Sequence, residues 1–285
     1  MKTYFECIPC FMQQALKAGK MTAENDKQLK KILDETGCLI KSFSLESTPA
    51  EYGAEVYKLI REITGVEDPY KEIKKQSIED AKKLYPELKE IVEKSRNRLL
   101  TAVRIAIAGN IIDFGVNKKF SLKEDVQRIL TQDFAIFDFL QFEKALREAR
   151  TILYLGDNAG ESVFDKLLIE EISDKKVIYA VREIPVINDA VYEDAIASGL
   201  DELAEIISSG AKAPGTILSQ CNDEFIEIFN TADIVISKGQ GNYEGLSDVK
   251  RSVFFLLKAK CGVIARDLRV NENDIIIKGI NLLPN

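Results

Sequence analysis

The sequence predicts an α/β protein, with a Rossmann-like three-layer domain built on a parallel sheet over residues 146–285 and an all-helical region over residues 1–145. Two observations carry that expectation. Up to about Lys144, apolar residues recur at three- and four-residue spacing, which gathers them on one face of a helix. Beyond it, short β-branched runs alternate with amphipathic stretches, the pattern of βαβ units around a parallel sheet. With 285 residues, 46% of them hydrophobic, the chain has enough apolar side chains to bury a large core.

Phe11, Ala15 and Ala18 form the first helical stripe. Leu29, Ile32, Leu33, Cys38 and Ile40 suggest one or two further helices, and Val56, Leu59, Ile60 and Ile63 another. Pro49, Gly65, Pro69 and Pro86 punctuate these segments, and the run Ile91–Ile112 reads as one long buried helix ending near Gly115. In the second half the expected strands are Ile152–Leu155, Val177–Val181, Ile206–Ser208, Ile234–Ser237, Val253–Leu257 and Ile275–Ile277. Between the earlier ones lie the expected helices Glu161–Ile172, Asp189–Ser198 and Asp223–Thr231.

Composition removes whole classes of function. The chain has no His, which excludes imidazole acid–base chemistry, His-dependent nucleophile systems and imidazole zinc sites. A net charge of −7 argues against a nucleic-acid partner, which would need a basic face to neutralise phosphates. No uncharged apolar run is long enough to span a membrane, and Met1–Cys7 lacks the apolar core of a signal peptide, so a cytoplasmic protein without a membrane partner is expected. The five Cys, an odd number, do not suggest a disulfide framework.

Chemistry concentrates at three expected strand ends, which a parallel sheet places on one edge. The first is Gly156-Asp157-Asn158-Ala159-Gly160-Glu161. The second runs from Arg182 to Asn188-Asp189, and the third is Ser237-Lys238-Gly239-Gln240-Gly241-Asn242. Asp157, Asn158 and Asp189 offer two carboxylates and an amide oxygen, a donor set suited to a hard divalent cation. Arg182 and Lys238 add two cations, and the glycine segment reads as a loop whose N–H groups suit an anion. A metal and positive groups converging on one edge are what phosphoryl transfer requires. Each piece also has an ordinary reading: a turn at Asp157-Asn158, a helix cap at Asn188-Asp189, a solvated Lys238 and a surface ion pair at Arg182.

Two further patterns stand apart. Asn110 and Asp113 lie one turn apart in Gly109-Asn110-Ile111-Ile112-Asp113, where a helix C-terminus is the simpler account. Cys7-Ile8-Pro9-Cys10 has the spacing of a metal or redox pair, with Cys261 the best third thiol. Small buried residues at a helix start explain the pair slightly better.

Taken in order, Cys7-x-x-Cys10, Gly109-Asn110-x-x-Asp113-Phe114, Gly156-Asp157-Asn158-Ala159-Gly160-Glu161, Asn188-Asp189-Ala190 and Lys238-Gly239-Gln240-Gly241-Asn242-Tyr243 resemble the damage-control phosphatases, also known as the domain-of-unknown-function eighty-nine family. The chain looks like its stand-alone archaeal branch with an N-terminal C-x-x-C. The resemblance implies an all-α region on a Rossmann-like domain and hydrolysis of small phosphorylated metabolites, such as sugar phosphates or phosphopantetheine-like esters. It implies one divalent ion (Mn²⁺, Co²⁺, Ni²⁺ or Mg²⁺) bound by Asp157, Asn158 and Asp189. Asp157 and Lys238 then carry catalysis, while Asn110, Asp113, Glu161, Arg182, Asn188, Gly239, Gly241 and Asn242 line the substrate site. A strand-end Asp nucleophile is usually followed two residues on by a second Asp; Ala159 stands there, which favours metal-activated water. A carboxyl methyltransferase binding S-adenosylmethionine through Gly156, Gly160 and Glu183 is the rival reading, and a non-catalytic phosphometabolite sensor is another. The oligomeric state is not legible.

Overall fold

Five helices form the first part of the chain in this computed structural model, which describes residues 1–109, 127–128 and 130–282: α1 (Cys7–Thr22), α2 (Asp26–Lys41), α3 (Pro49–Thr64), α4 (Lys71–Lys94) and α5 (Arg98–Ala108). Local chemistry sets their ends. The Asn25 side chain accepts from Gln28 N–H to start α2, and Thr48 with Glu51 closes a capping box at α3, with Pro49 at its first position. The expected long helix over 91–112 is two helices. Asn97 accepts the Leu100 N–H at 3.0 Å and caps α5, so the chain breaks between Lys94 and Arg98. Pro86, expected to end a segment, lies inside α4. Buried Ile78, Ala81, Leu88 and Val92 continue one apolar stripe across it, and their packing holds the helix together.

Seven strands form one sheet in the order β1-β7-β6-β5-β2-β3-β4: β1 (Phe134–Phe137), β2 (Thr151–Leu155), β3 (Lys176–Val181), β4 (Glu205–Ser208), β5 (Ile234–Lys238), β6 (Val253–Lys258) and β7 (Ile275–Ile280). From β2 the chain winds outward through β3 and β4, then returns to β5 on the other side of β2. The crevice between β2 and β5 is therefore a topological switch point, where doubly wound sheets hold ligands.

The sheet departs from the fully parallel expectation at one edge. β7 runs antiparallel to β6, and β1 pairs parallel with β7, from within the stretch expected to be all-helical. Helix α6 (Phe139–Glu148) then leads from β1 to β2, across the expected boundary at 145.

Successive β2 side chains point to opposite faces, and both faces are covered. Ile152 and Tyr154 join a core with α4, α5, α6 and α7 (Ser162–Glu170), whereas Leu153 and Leu155 join a core with α1 and α3. The N-terminal helices thus supply part of each outer layer. The remaining helices are α8 (Tyr192–Ser198), α9 (Asp223–Thr231), α10 (Gly239–Leu246) and α11 (Gly262–Leu268). Two of them correct the sequence reading: α8 begins beyond Asp189, and the glycine segment expected as a loop is the start of α10. Among the described residues no helix is long and apolar enough to cross a membrane.

Candidate active site

At the switch point the ends of β2 and β5 meet at Asp157 and Gly239. Gly239 opens α10 at φ +76°, and a Cβ built on it would lie 1.8 Å from Asp157 Oδ2. The carboxylate fills the space that only glycine leaves. One turn on, Asn242 clips the two strand ends together. Its Nδ2 donates to the carbonyls of Gly156 (2.9 Å) and Lys238 (2.8 Å), and its Oδ1 accepts from Thr216 Oγ1 (2.8 Å). Fully buried and hydrogen-bonded at both ends of its amide, Asn242 is a structural clip, not the expected substrate contact.

The loop after β3 folds back on the loop after β2. Ala159 N–H donates to Asn188 O at 2.9 Å, Ala190 N–H donates to Asp157 O at 2.8 Å, and Asn158 faces Asp189 in an isolated antiparallel bridge. This small ladder brings Asp157, Asn158 and Asp189 side by side. Just before it, Ile187 adopts φ +50°, a left-handed conformation that strains a β-branched residue and that proteins hold mainly at functional sites.

Two buried cations lie behind this floor. Arg182 Nε donates to Asp189 Oδ2 at 2.7 Å, Nη1 reaches Thr216 Oγ1 at 3.4 Å, and Nη2 sits 3.8 Å from Asp157 Oδ1. That Nη2 is buried without a hydrogen-bond partner among the described residues. Lys238 Nζ is bonded to Asp165 Oδ1 at 2.6 Å and to Glu161 Oε2 at 3.3 Å. Asp165, completely buried, also accepts from Tyr154 Oη (2.7 Å) and Tyr179 Oη (2.9 Å), whose rings stack at 5.2 Å. Glu161 in turn accepts from Asn158 Nδ2, so the amide nitrogen is engaged and the amide oxygen is the group left to offer a lone pair to a cation.

Burial dominates the electrostatics. It pushes the Asp189 carboxyl up to about 7 against the opposing pull of Arg182, with Asp157 adding to the rise. Glu161 rises to about 8 for the same reason, opposed by Lys238. Burial works to lower the Lys238 pKa, but Asp165 and Glu161 outweigh it and hold the ammonium above its ordinary value.

Asp157, Asn158, Asn188, Asp189 and Gly241 line a cleft of about 570 Å³, and the described lining does not include Lys238, Arg182, Glu161, Gly239 or Asn242. Lys238 and Arg182, expected to contact phosphate directly, are instead engaged in ion pairs with carboxylates behind the lining. Asn110 and Asp113 lie outside the described residues. Cys7, Cys10 and Cys261, all free thiols, also line it, so the three cysteines singled out from the sequence do share one cleft.

Sequence reasoning missed Asp165, Gln240, Glu244 and Lys260. Asp165 is an acid amid the apolar run Val163 to Ile169, and Lys260 follows β6, a fourth strand ending on the same edge; both signals were present. Gln240 donates to Glu244 Oε1 at 3.0 Å and accepts from Lys260 N–H at 3.2 Å, tying α10 to the loop after β6. Among the described residues no three His, Cys, Asp or Glu side chains are arranged to hold a metal ion. A cation on this floor would draw on two carboxylates and the Asn158 amide, an all-oxygen set that suits a hard divalent ion.

Residues 3–276 match the damage-control phosphatase ARMT1-like domain. The chain belongs to this family. It is 37% identical to the damage-control phosphatase PH1575 of Pyrococcus horikoshii, over 97% of each chain. It is 34% identical to a damage-control phosphatase of Archaeoglobus fulgidus, over 95% of this chain and 97% of that one. The crystal structure of the Pyrococcus horikoshii protein, described as a DUF89 family member, superposes with a TM-score of 0.89 at 35% identity, covering 97% of this chain and 98% of that one. The family resemblance drawn from the motifs is thereby established, and so is the mixed α/β fold with its N-terminal helices.

Proposed function

We propose that this chain is a cytoplasmic, metal-dependent phosphomonoester hydrolase acting on small phosphorylated metabolites. The observation that carries the reading is the isolated bridge that pairs Asn158 with Asp189 beside Asp157 at the switch point, on the floor of a cleft of about 570 Å³. That volume suits a metabolite. The names of the relatives favour the same chemistry. One divalent ion, Mn²⁺, Co²⁺, Ni²⁺ or Mg²⁺, would be held by Asp157, Asn158 and Asp189, and it would supply Lewis-acid polarisation of the phosphoryl group and acidify water. Arg182 holds Asp189 in place through its Nε hydrogen bond and supplies a counter-charge near Asp157. Lys238 and Glu161 fix the Asn158 amide from behind, so Lys238 acts by positioning. Asn188 and Gly241 face the substrate.

The test is release of inorganic phosphate from a panel of sugar phosphates, nucleotides and phosphopantetheine-like esters by chelator-stripped protein, repeated with each of the four metals and with Asp157→Ala. Turnover that needs metal and disappears in the variant is the expected result. A folded protein that releases no phosphate under any metal overturns the reading. Retention of S-adenosylmethionine would then favour methyl transfer, and tight ester binding without turnover a sensor.

Metal loading should depend on pH. Asp189 must lose its proton to bind a cation, and burial keeps that proton on up to about 7. Mn²⁺ affinity is expected to strengthen about tenfold per pH unit between about pH 5 and 7 and to level off above. Calorimetric titrations across that range check it, and a flat profile would remove Asp189 from the ligand set.

A further inference from the structure

We propose that Lys260 is the residue that grips the substrate phosphate, as a mobile cation reaching into the cleft from the loop after β6. The inference rests on the phosphatase reading and assigns the anion contact that Lys238 and Arg182 are not placed to make.

A phosphate dianion approaching a floor of two carboxylates needs positive charge that is not already paired. Lys238 is fully buried, and moving its ammonium into the cleft would strand Asp165 and Glu161 in the interior. Arg182 is bound to Asp189 beneath the floor. Arg266 lines the cleft, but it pairs with Glu6 at 2.7 Å and lies over the Tyr4 ring at 5.5 Å.

Lys260 differs from all three. It is exposed, it lines the cleft, and among the described residues its ammonium has no ion-pair or hydrogen-bond partner. Its backbone, by contrast, is fixed. Lys260 N–H donates to Gln240 Oε1 at 3.2 Å, Ala259 N–H to Asp274 O at 3.0 Å, and Asn273 N–H to Ala259 O at 2.7 Å. Gln240 directly follows Gly239, against which the Asp157 carboxylate rests. The side chain built on that anchor lines the same cleft as Asp157, Asn158 and Asp189. Its charge is felt at the floor: burial raises the carboxyls of Glu161 and Asp189, and Lys260 is among the charges pulling both back down. A compact ammonium on a flexible stem suits a phosphate monoester dianion, whose charge it meets as a point.

The experiment compares wild type with Lys260→Met and Lys260→Arg at saturating metal, measuring KM and kcat for the best ester and, separately, the Kd of inorganic phosphate by calorimetry. Loss of one charged contact is expected to raise KM and phosphate Kd by about 10- to 100-fold in Lys260→Met, with a smaller change in kcat and in metal affinity, and Lys260→Arg should recover most of the loss. The exposed position keeps both variants folded, which circular dichroism verifies. Unchanged KM and phosphate Kd in Lys260→Met would overturn the proposal while leaving the phosphatase intact. If wild type turns over no ester, the phosphate Kd still decides: weakening in Lys260→Met upholds the anion contact even as the phosphatase reading fails, and an equal Kd removes both.

Discussion

Gly239→Ala is expected to lower metal-dependent turnover by about 10³-fold, the scale of losing several kcal/mol of Lewis-acid stabilisation. The new Cβ would lie 1.8 Å from Asp157 Oδ2 and 2.3 Å from its Cγ, far inside contact distance. The backbone of Asp157 is not free to retreat, because its carbonyl accepts from Ala190 N–H at 2.8 Å. The carboxylate must rotate off the floor, and a cation held there as proposed would lose a ligand. The left-handed backbone at φ +76° adds a penalty of about 1–2 kcal/mol for any L side chain. Gly37→Ala, where an added Cβ meets nothing within 4 Å, serves as the control and should leave activity unchanged. Phosphate release and Mn²⁺ titration on both variants make the comparison. Wild-type turnover and metal affinity in Gly239→Ala would show that Asp157 is not held as described.

The largest stability loss is expected at Asp165, which is buried with Lys238, Tyr154 and Tyr179 bonded to it. Asp165→Ala leaves two tyrosine hydroxyls without their acceptor and removes one of the two carboxylates that neutralise Lys238. Breaking a buried ion pair from one side costs about 3–5 kcal/mol, because the other charge stays buried. Urea unfolding of the variant measures it. Tyr154→Phe or Tyr179→Phe, which remove one hydrogen bond each, should cost about 1 kcal/mol. A loss below that figure for Asp165→Ala would mean that Lys238 finds another partner or leaves its pocket.

What the sequence disclosed of this site was the part encoded locally. The buried run Thr151–Leu155 followed by Gly156-Asp157-Asn158 marks a strand and its end without any partner in view. Asn188-Asp189 and Lys238-Gly239 do the same for two more strands, and the strand order then brings the three ends together. What stayed hidden depends on contacts between distant segments. Nothing in a lysine reveals whether it is solvated or buried, and the partner that buries Lys238 lies on α7. Glycines disfavour helix, so Gly239-Gln240-Gly241 read as a loop. In the fold, a Cβ on Gly241 or Gly245 would strike the carbonyl oxygen of Pro214 or Thr216, and that close packing overrides propensity. The four-residue β1 has too few residues to announce a strand, and the isoleucines of β7 carry no mark of direction.

The placement of the cleft walls has a kinetic consequence. Part of the lining comes from the first helix, part from the middle of the chain and part from the loop after β6, while β7, near the end of the chain, joins β1 to the rest of the sheet. Contacts of such long sequence separation are slow to form, because loop-closure entropy must be overcome before they stabilise anything. On a ribosome, β2 to β5 and the carboxylate floor can assemble while β6 and β7 are still being synthesised. The cleft itself has to wait for the end of translation, so the chain acquires its carboxylate floor before it acquires the walls that enclose it.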